Sequence, residues 1–306
     1  MVNATDGLRI GLQLPEAEYE AHWKDVAAMA RLAEDAGFDA LWVGDHLLYR
    51  APGRPDRGPW EAWTQLAAIA AVTARVEIGP LVASTSFHAP GVLAKMAATV
   101  DEISGGRLIL GLGAGWNEAE YRAFGFAYDH RVSRFAEAFT IIRTLLREGH
   151  VDFVGQYYTL RDCELLPRGP RPEGPPLMVG SNGPRMLRLT MPHVQAWNAW
   201  YHWFGNRPAG LAEQLALVDT ACAEVGRDPA TVKRTVAVYV QLPGAVGARD
   251  FDRATAPPLS GAPEVIAAQL GDFAAAGVSH VQLVIDPVTP AGVESLAPIL
   301  EALDAA

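Results

Sequence analysis

The stretch Gly37-Phe38-Asp39-Ala40-Leu41-Trp42-Val43-Gly44-Asp45-His46 holds a helix stop, an apolar run and a charged pair in immediate succession. An amphipathic pattern over about 22–36 runs into Gly37, the residue type that most readily takes the left-handed conformation closing a helix. Positions 40–43 are all apolar, as expected of a strand covered on both faces in a parallel sheet. Asp45 and His46 then interrupt that apolarity where the strand hands over to its loop. The pair either closes a turn or marks the mouth of a site.

The same unit recurs along the chain. Strands are expected at 9–14, 40–43, 76–83, 107–112, 177–179, 194–199, 235–241 and 280–285. Helices are expected at 22–36, 60–74, 91–103, through a long region ending near Glu148-Gly149, then at 184–189, 209–225, 263–276 and 291–303. Residues 151–160 read as a β-hairpin turning at Val154-Gly155-Gln156, followed by a Pro/Gly/Arg-rich loop at 166–176. Eight strand–helix units in a chain of 306 residues point to an α/β fold of the (β/α)8 TIM-barrel type rather than an open sheet. The expectation is one barrel domain over 1–306 with an insertion at about 117–175 after the fourth strand. A linker between two domains at 166–176 is the alternative, disfavoured because the count of eight needs strands from both sides.

Half of the residues are apolar and a fifth are charged, as in ordinary soluble domains. The net charge of −10 argues against nucleic acid or an anionic membrane as the main partner. No apolar run approaches the ~20 residues needed to span a bilayer, and the first residues lack a signal-peptide pattern. The expected location is cytoplasmic. Cys163 and Cys222 have no metal-type spacing and make no disulfide framework.

Barrel sites form at the carboxyl ends of the strands, which shortens the search. Those ends carry Gln13, Asp45-His46, the run from Ser84 to His88, the run from Gly113 to Asn117, Gly180-Ser181-Asn182-Gly183, Asn198 with the aromatic run from Trp200 to Phe204, and Asp286. Gly180–Gly183 leads into a helix with Pro184 at its first position, a natural phosphate cradle, with Arg185 and Arg188 nearby; a plain βα turn is the competing reading. Gly111-Leu112-Gly113-Ala114-Gly115-Trp116 fails as a dinucleotide fingerprint because Trp116 fills its last glycine position. The eight histidines show no metal-ligand pattern, and no serine elbow is present. His46, His88 and His202 all follow strand ends, whereas His22, His130 and His150 do not. Trp116 and Trp200 suit stacking on a planar ring. A phosphate cradle, flat apolar walls and a few polar groups together suggest a flavin-like cofactor.

Four blocks, at 33–46, 74–90, 93–126 and 175–189, resemble the luciferase-like monooxygenase superfamily, and within it the branch that uses the deazaflavin coenzyme F420. The resemblance implies a barrel with an insertion after strand 4, and a small-molecule substrate. It implies that Asp45 hydrogen-bonds the ring system and that His46 is the catalytic proton donor or acceptor, a task suited to imidazole. It places a non-prolyl cis peptide at Leu81-Val82 behind the ring, Ala114 and Asn117 beside it, and the phosphate on Gly180, Ser181, Asn182 and Gly183. Trp116, His88, Trp200 and His202 are expected around the substrate. Relatives that oxidise a sugar phosphate carry a glutamate where Trp116 stands, so a larger or more apolar substrate is expected. Relatives also tend to be homodimers. The polyglutamate tail of F420 would need a basic patch, for which Arg50, Arg54 and Arg57 are the candidates. FMN-dependent monooxygenation, or flavin binding without catalysis, are the alternatives.

Overall fold

The computed structural model describes residues 7–50, 55–247 and 253–305. In chain order the elements are β1 (Arg9–Gln13), α1 (Trp23–Asp35), β2 (Ala40–Val43), α2 (Ala62–Val72), β3 (Glu77–Pro80), β4 (Ala83–Ser84), α3 (Pro90–Ile103), β5 (Leu110–Gly113), α4 (Glu118–Phe124), α5 (Arg131–Glu148), β6 (His150–Val154) and β7 (Thr159–Glu164). They continue with β8 (Leu177–Gly180), α6 (Pro184–Thr190), β9 (Ala196–Ala199), α7 (Pro208–Glu224), β10 (Lys233–Gln241), α8 (Pro263–Ala275), β11 (His280–Asp286), α9 (Pro290–Glu294) and α10 (Ala297–Asp304).

The strands other than β6 and β7 form one sheet in the order β3-β2-β1-β11-β10-β9-β8-β5-β4, with every pair parallel. β3 and β4 are two halves of the third barrel strand. The Leu81-Val82 peptide bond between them is cis, as the resemblance implied. The Ile109 N–H donates to the Ile78 carbonyl at 2.8 Å, which joins β3 to the approach to β5 and brings the sheet round into a (β/α)8 barrel. The antiparallel pair β6–β7 and the loop after it form the expected insertion after the fourth barrel strand.

The strands bury both faces, and Ile10 and Leu12 of β1, with Leu14 just after it, are almost fully covered. Inside the barrel, Asn198 Nδ2 donates to Thr235 Oγ1 at 3.0 Å and to Gln282 Oε1 at 2.7 Å. That layer ties β9, β10 and β11 together through side chains, with Gln282 Nε2 left buried without a partner. Below it, His280 is enclosed, and burial together with Arg9 and Lys233 pushes its pKa down to about 3.

Three of the boundaries that differ from the sequence reading have a plain physical cause. The fourth barrel strand begins at Leu110 rather than 107, because Arg107 serves another purpose. Its guanidinium donates to the Val76 and Ala70 carbonyls at 2.7 and 2.8 Å and to Thr73 Oγ1 at 2.9 Å, closing the end of α2. The long helix expected before 149 is two helices, parted by Gly125 (φ +78°) and His130 (φ +51°). The last helix is also two, since Pro298 has no N–H to extend α9 and instead sits in the first turn of α10.

Candidate active site

The residues that gather at the carboxyl ends of β1, β2, β4 and β5 centre on His46. Its Nδ1 lies 2.9 Å from Glu120 Oε1. The other oxygen of that carboxylate accepts from the Leu47 and Leu48 N–H groups at 2.9 and 3.3 Å. On the opposite side, His46 Nε2 is 3.8 Å from Glu16 Oε1. Glu16 in turn accepts from Tyr49 Oη at 2.6 Å and from Gln13 Nε2 at 3.0 Å. Both glutamates are buried, Glu120 almost completely. Gly44 is what allows Glu16 so close, since a Cβ there would sit 2.6 Å from the Glu16 carboxyl carbon.

Burial alone would disfavour a charged imidazole at this place. The hydrogen bond with Glu120 and the charges of Glu16, Glu120 and Asp45 outweigh it, and the His46 pKa is raised above its ordinary value. The ring is roofed by aromatics. Tyr49 is 4.8 Å away and Trp116 stands edge-on at 5.6 Å. Trp116 remains 63 % exposed, leaving flat indole surface open at the entrance.

Asp45 is buried, and its Oδ2 accepts from the Ser84 N–H at 2.8 Å. It therefore clasps the end of β2 to the end of β4, just past the cis bond. His88 Nε2 lies 3.8 Å from the same oxygen and is buried without a hydrogen-bond partner, as is Thr85 Oγ1. Beside them is a cavity of about 270 Å3 lined by Ser86, Phe87, His88, Phe126, Arg134 and Tyr158. Tyr121 Oη donates to the Ala114 carbonyl at 2.8 Å and lies 3.1 Å from Ser84 Oγ, which braces the β5 loop against β4. Gly115 (φ +71°) passes directly over that phenol.

The other expected site residues fall into separate groups. Asn117 Nδ2 donates to the Leu48 carbonyl at 2.8 Å, fastening the His46 loop. Val82 packs on Gly113 and Gly180. Gly183 caps α6 with Pro184 at its start, and its N–H donates to Ser181 Oγ at 3.3 Å; a Cβ on Gly183 would meet only that oxygen, at 3.8 Å. Arg188 is committed to Glu224 at 2.9 Å and Arg185 to Ser133 at 3.0 Å. The described contacts of Trp200 and His202 run to Tyr201 and Thr255, away from the His46 cluster. Arg50 pairs with Asp56 at 2.9 Å and Arg57 donates to the Glu18 carbonyl at 2.7 Å; Arg54 lies outside the described residues.

Glu16, Tyr49, Glu120 and Tyr121 were not among the residues picked from the sequence. Glu120 looks there like any charge on a short surface helix. Its neighbour Glu118 is that, pairing with Arg122 at 2.7 Å in solvent. Helical phase gives no signal for Glu120, because Phe124, four positions on and in the same phase, is exposed while Glu120 and Tyr121 are buried.

Comparison with known proteins places this geometry in a family. The family model described as luciferase-like monooxygenase matches residues 8–250. The 5,10-methylenetetrahydromethanopterin reductase of Archaeoglobus fulgidus is 30 % identical over 183 residues, covering 60 % of this chain and 50 % of that protein. The F420-dependent glucose-6-phosphate dehydrogenase of Amycolatopsis mediterranei is 37 % identical over 169 residues, covering 53 % and 48 %. The chain thus spans about half the length of these curated relatives. Among solved structures, an F420-dependent secondary alcohol dehydrogenase in complex with an F420-acetone adduct superposes with a TM-score of 0.82 at 20 % identity, over 97 % of this chain and 99 % of that one; at that identity the likeness establishes the fold. Among the described residues, no helix is long and apolar enough to cross a membrane.

Proposed function

This chain belongs to the luciferase-like monooxygenase family, and on that premise we propose that it is an F420-dependent oxidoreductase moving a hydride between the deazaflavin and a small organic substrate. The observation that carries the reading is His46 at the barrel mouth, held between two buried glutamates and disposed to carry a proton. The rim also fits a flavin-like ring. Thr85 Oγ1 and His88 Nε2 are buried polar atoms lacking partners, and the Gly183 backbone faces open space. In this reading Leu81, Val82, Ala114 and Asn117 hold the ring, and Gly180, Ser181, Asn182 and Gly183 hold the phosphate. Asp45 keeps the β4 wall in place through Ser84, beside the ring.

The bound deazaflavin supplies or accepts the hydride; the protein's own residues manage the proton. His46 Nδ1 is committed to Glu120, so Nε2 is the atom that exchanges a proton with the substrate. When protonated, the imidazolium donates from Nε2 to a substrate oxygen or nitrogen as the adjacent carbon receives hydride, after which the neutral ring regains its proton from water. Trp116 and Tyr49 supply flat apolar surface at the entrance, favouring an apolar or planar substrate over a sugar phosphate. The reading carries with it a cytoplasmic homodimer built from one barrel domain over 1–306.

Titration with F420 and FMN side by side, followed by fluorescence quenching, tests the cofactor: F420 should bind at micromolar concentration and FMN more weakly. Absence of F420 binding, or co-purification with FMN and oxygen uptake, refutes the assignment. His46→Ala should abolish turnover while leaving F420 affinity within about twofold. Surviving turnover would remove His46 from the mechanism.

A further inference from the structure

We propose that Glu120 is the positioning residue for His46, fixing the proton on Nδ1 and thereby reserving Nε2 for the substrate. The geometry makes this assignment. A carboxylate only accepts hydrogen bonds, so the 2.9 Å contact requires Nδ1 to be the donor. Glu120 cannot turn away, because its second oxygen is held by the Leu47 and Leu48 N–H groups and the side chain is buried. The groups facing the imidazole are Glu16 from the loop after β1, Asp45 and Tyr49 from its own loop, Trp116 from the loop after β5, and Glu120 from α4. Of these, only Glu120 is within hydrogen-bond distance of a ring nitrogen. Glu16, at 3.8 Å from Nε2, adds charge from beyond hydrogen-bond distance. Asn117, immediately before α4, fastens the same loop through the Leu48 carbonyl. One short helix therefore sets both the loop and the tautomer. The assignment rests on His46 being the proton-transferring group of the proposed reaction, but its test is read on protein without cofactor.

Glu120→Gln preserves shape and acceptors for Leu47 and Leu48 while turning an amide N–H toward Nδ1. Nitrogen-15 NMR of the histidine ring, assigned with His46→Gln, reads the outcome. In the wild-type protein above its titration point, His46 should be the Nδ1–H tautomer. In Glu120→Gln it should be the Nε2–H tautomer, with the acid dissociation constant of the imidazolium increased at least tenfold. Finding the Nε2–H tautomer in the wild type overturns the proposal without any variant, as does an unchanged tautomer and titration in a folded Glu120→Gln. Failure to bind F420 would leave these readings intact, so the two proposals fail separately.

Discussion

Replacing Gly115 with alanine puts a methyl group where the structure has no room for one. The added Cβ would lie 2.0 Å from Tyr121 Oη and 2.5 Å from Ser84 Oγ. The phenol cannot swing aside, because it holds the Ala114 carbonyl at 2.8 Å and its ring is packed by Phe87 and Tyr128 at 5.1 and 5.2 Å. The left-handed backbone at φ +71° adds about 1–2 kcal/mol for a residue with a Cβ. Overpacking adds about 1–3 kcal/mol, so the expected loss is about 2–5 kcal/mol in denaturant unfolding. Tyr121→Phe removes the oxygen at the point of clash. In the double variant Gly115→Ala/Tyr121→Phe the two losses should therefore fail to add, with a coupling of about 1–2 kcal/mol. A Gly115→Ala loss below about 0.5 kcal/mol, or strict additivity, would show that the β5 loop is not braced by Tyr121 as described.

The pH dependence of stability supplies two further tests. His46 has a folded pKa above its ordinary 6.5, so its stabilising contribution is full below about pH 6.5 and is lost as pH rises through the folded value. The unfolding midpoint of the wild type relative to His46→Gln should fall as pH rises above about 6.5; a constant difference contradicts the charged-ring reading. His280 behaves oppositely. Its folded pKa is about 3 against an ordinary 6.5, so its contribution is present above pH 6.5 and is lost as pH falls toward 3, by up to about 4–5 kcal/mol. His280→Gln should lose less stability than the wild type between about pH 7 and about pH 4, and equal losses would place the acid sensitivity elsewhere.

How far the sequence could be read depended on the range of the interaction involved. Residues 40–43 were located without error because four apolar positions between a helix-closing glycine and a charged pair admit little else. The third barrel strand read as continuous because its apolar character runs through Leu81-Val82, where the structure breaks it into β3 and β4. The start of the fourth strand was misplaced because Arg107 looks like a strand residue but is engaged with carbonyls at the end of α2. At the site, Asp45, His46, His88 and Trp116 were legible because each sits just past an apolar run. Glu16 and Glu120 were not, because their meaning lies in contacts with His46 across the fold, the latter separated by 74 positions. A buried Glu120 and an exposed Phe124 on one helix invert the usual sorting of apolar inside and charged outside, which no local pattern announces.

Glu120 comes from α4, the short helix that follows the fourth barrel strand. The segment that shapes the entrance thus also carries the group that sets the proton on His46. An exchange of this stretch between relatives would carry entrance shape and histidine basicity together, as one heritable unit. Engineering the entrance while leaving α4 in place would separate them, altering which molecules enter without retuning the acid they meet.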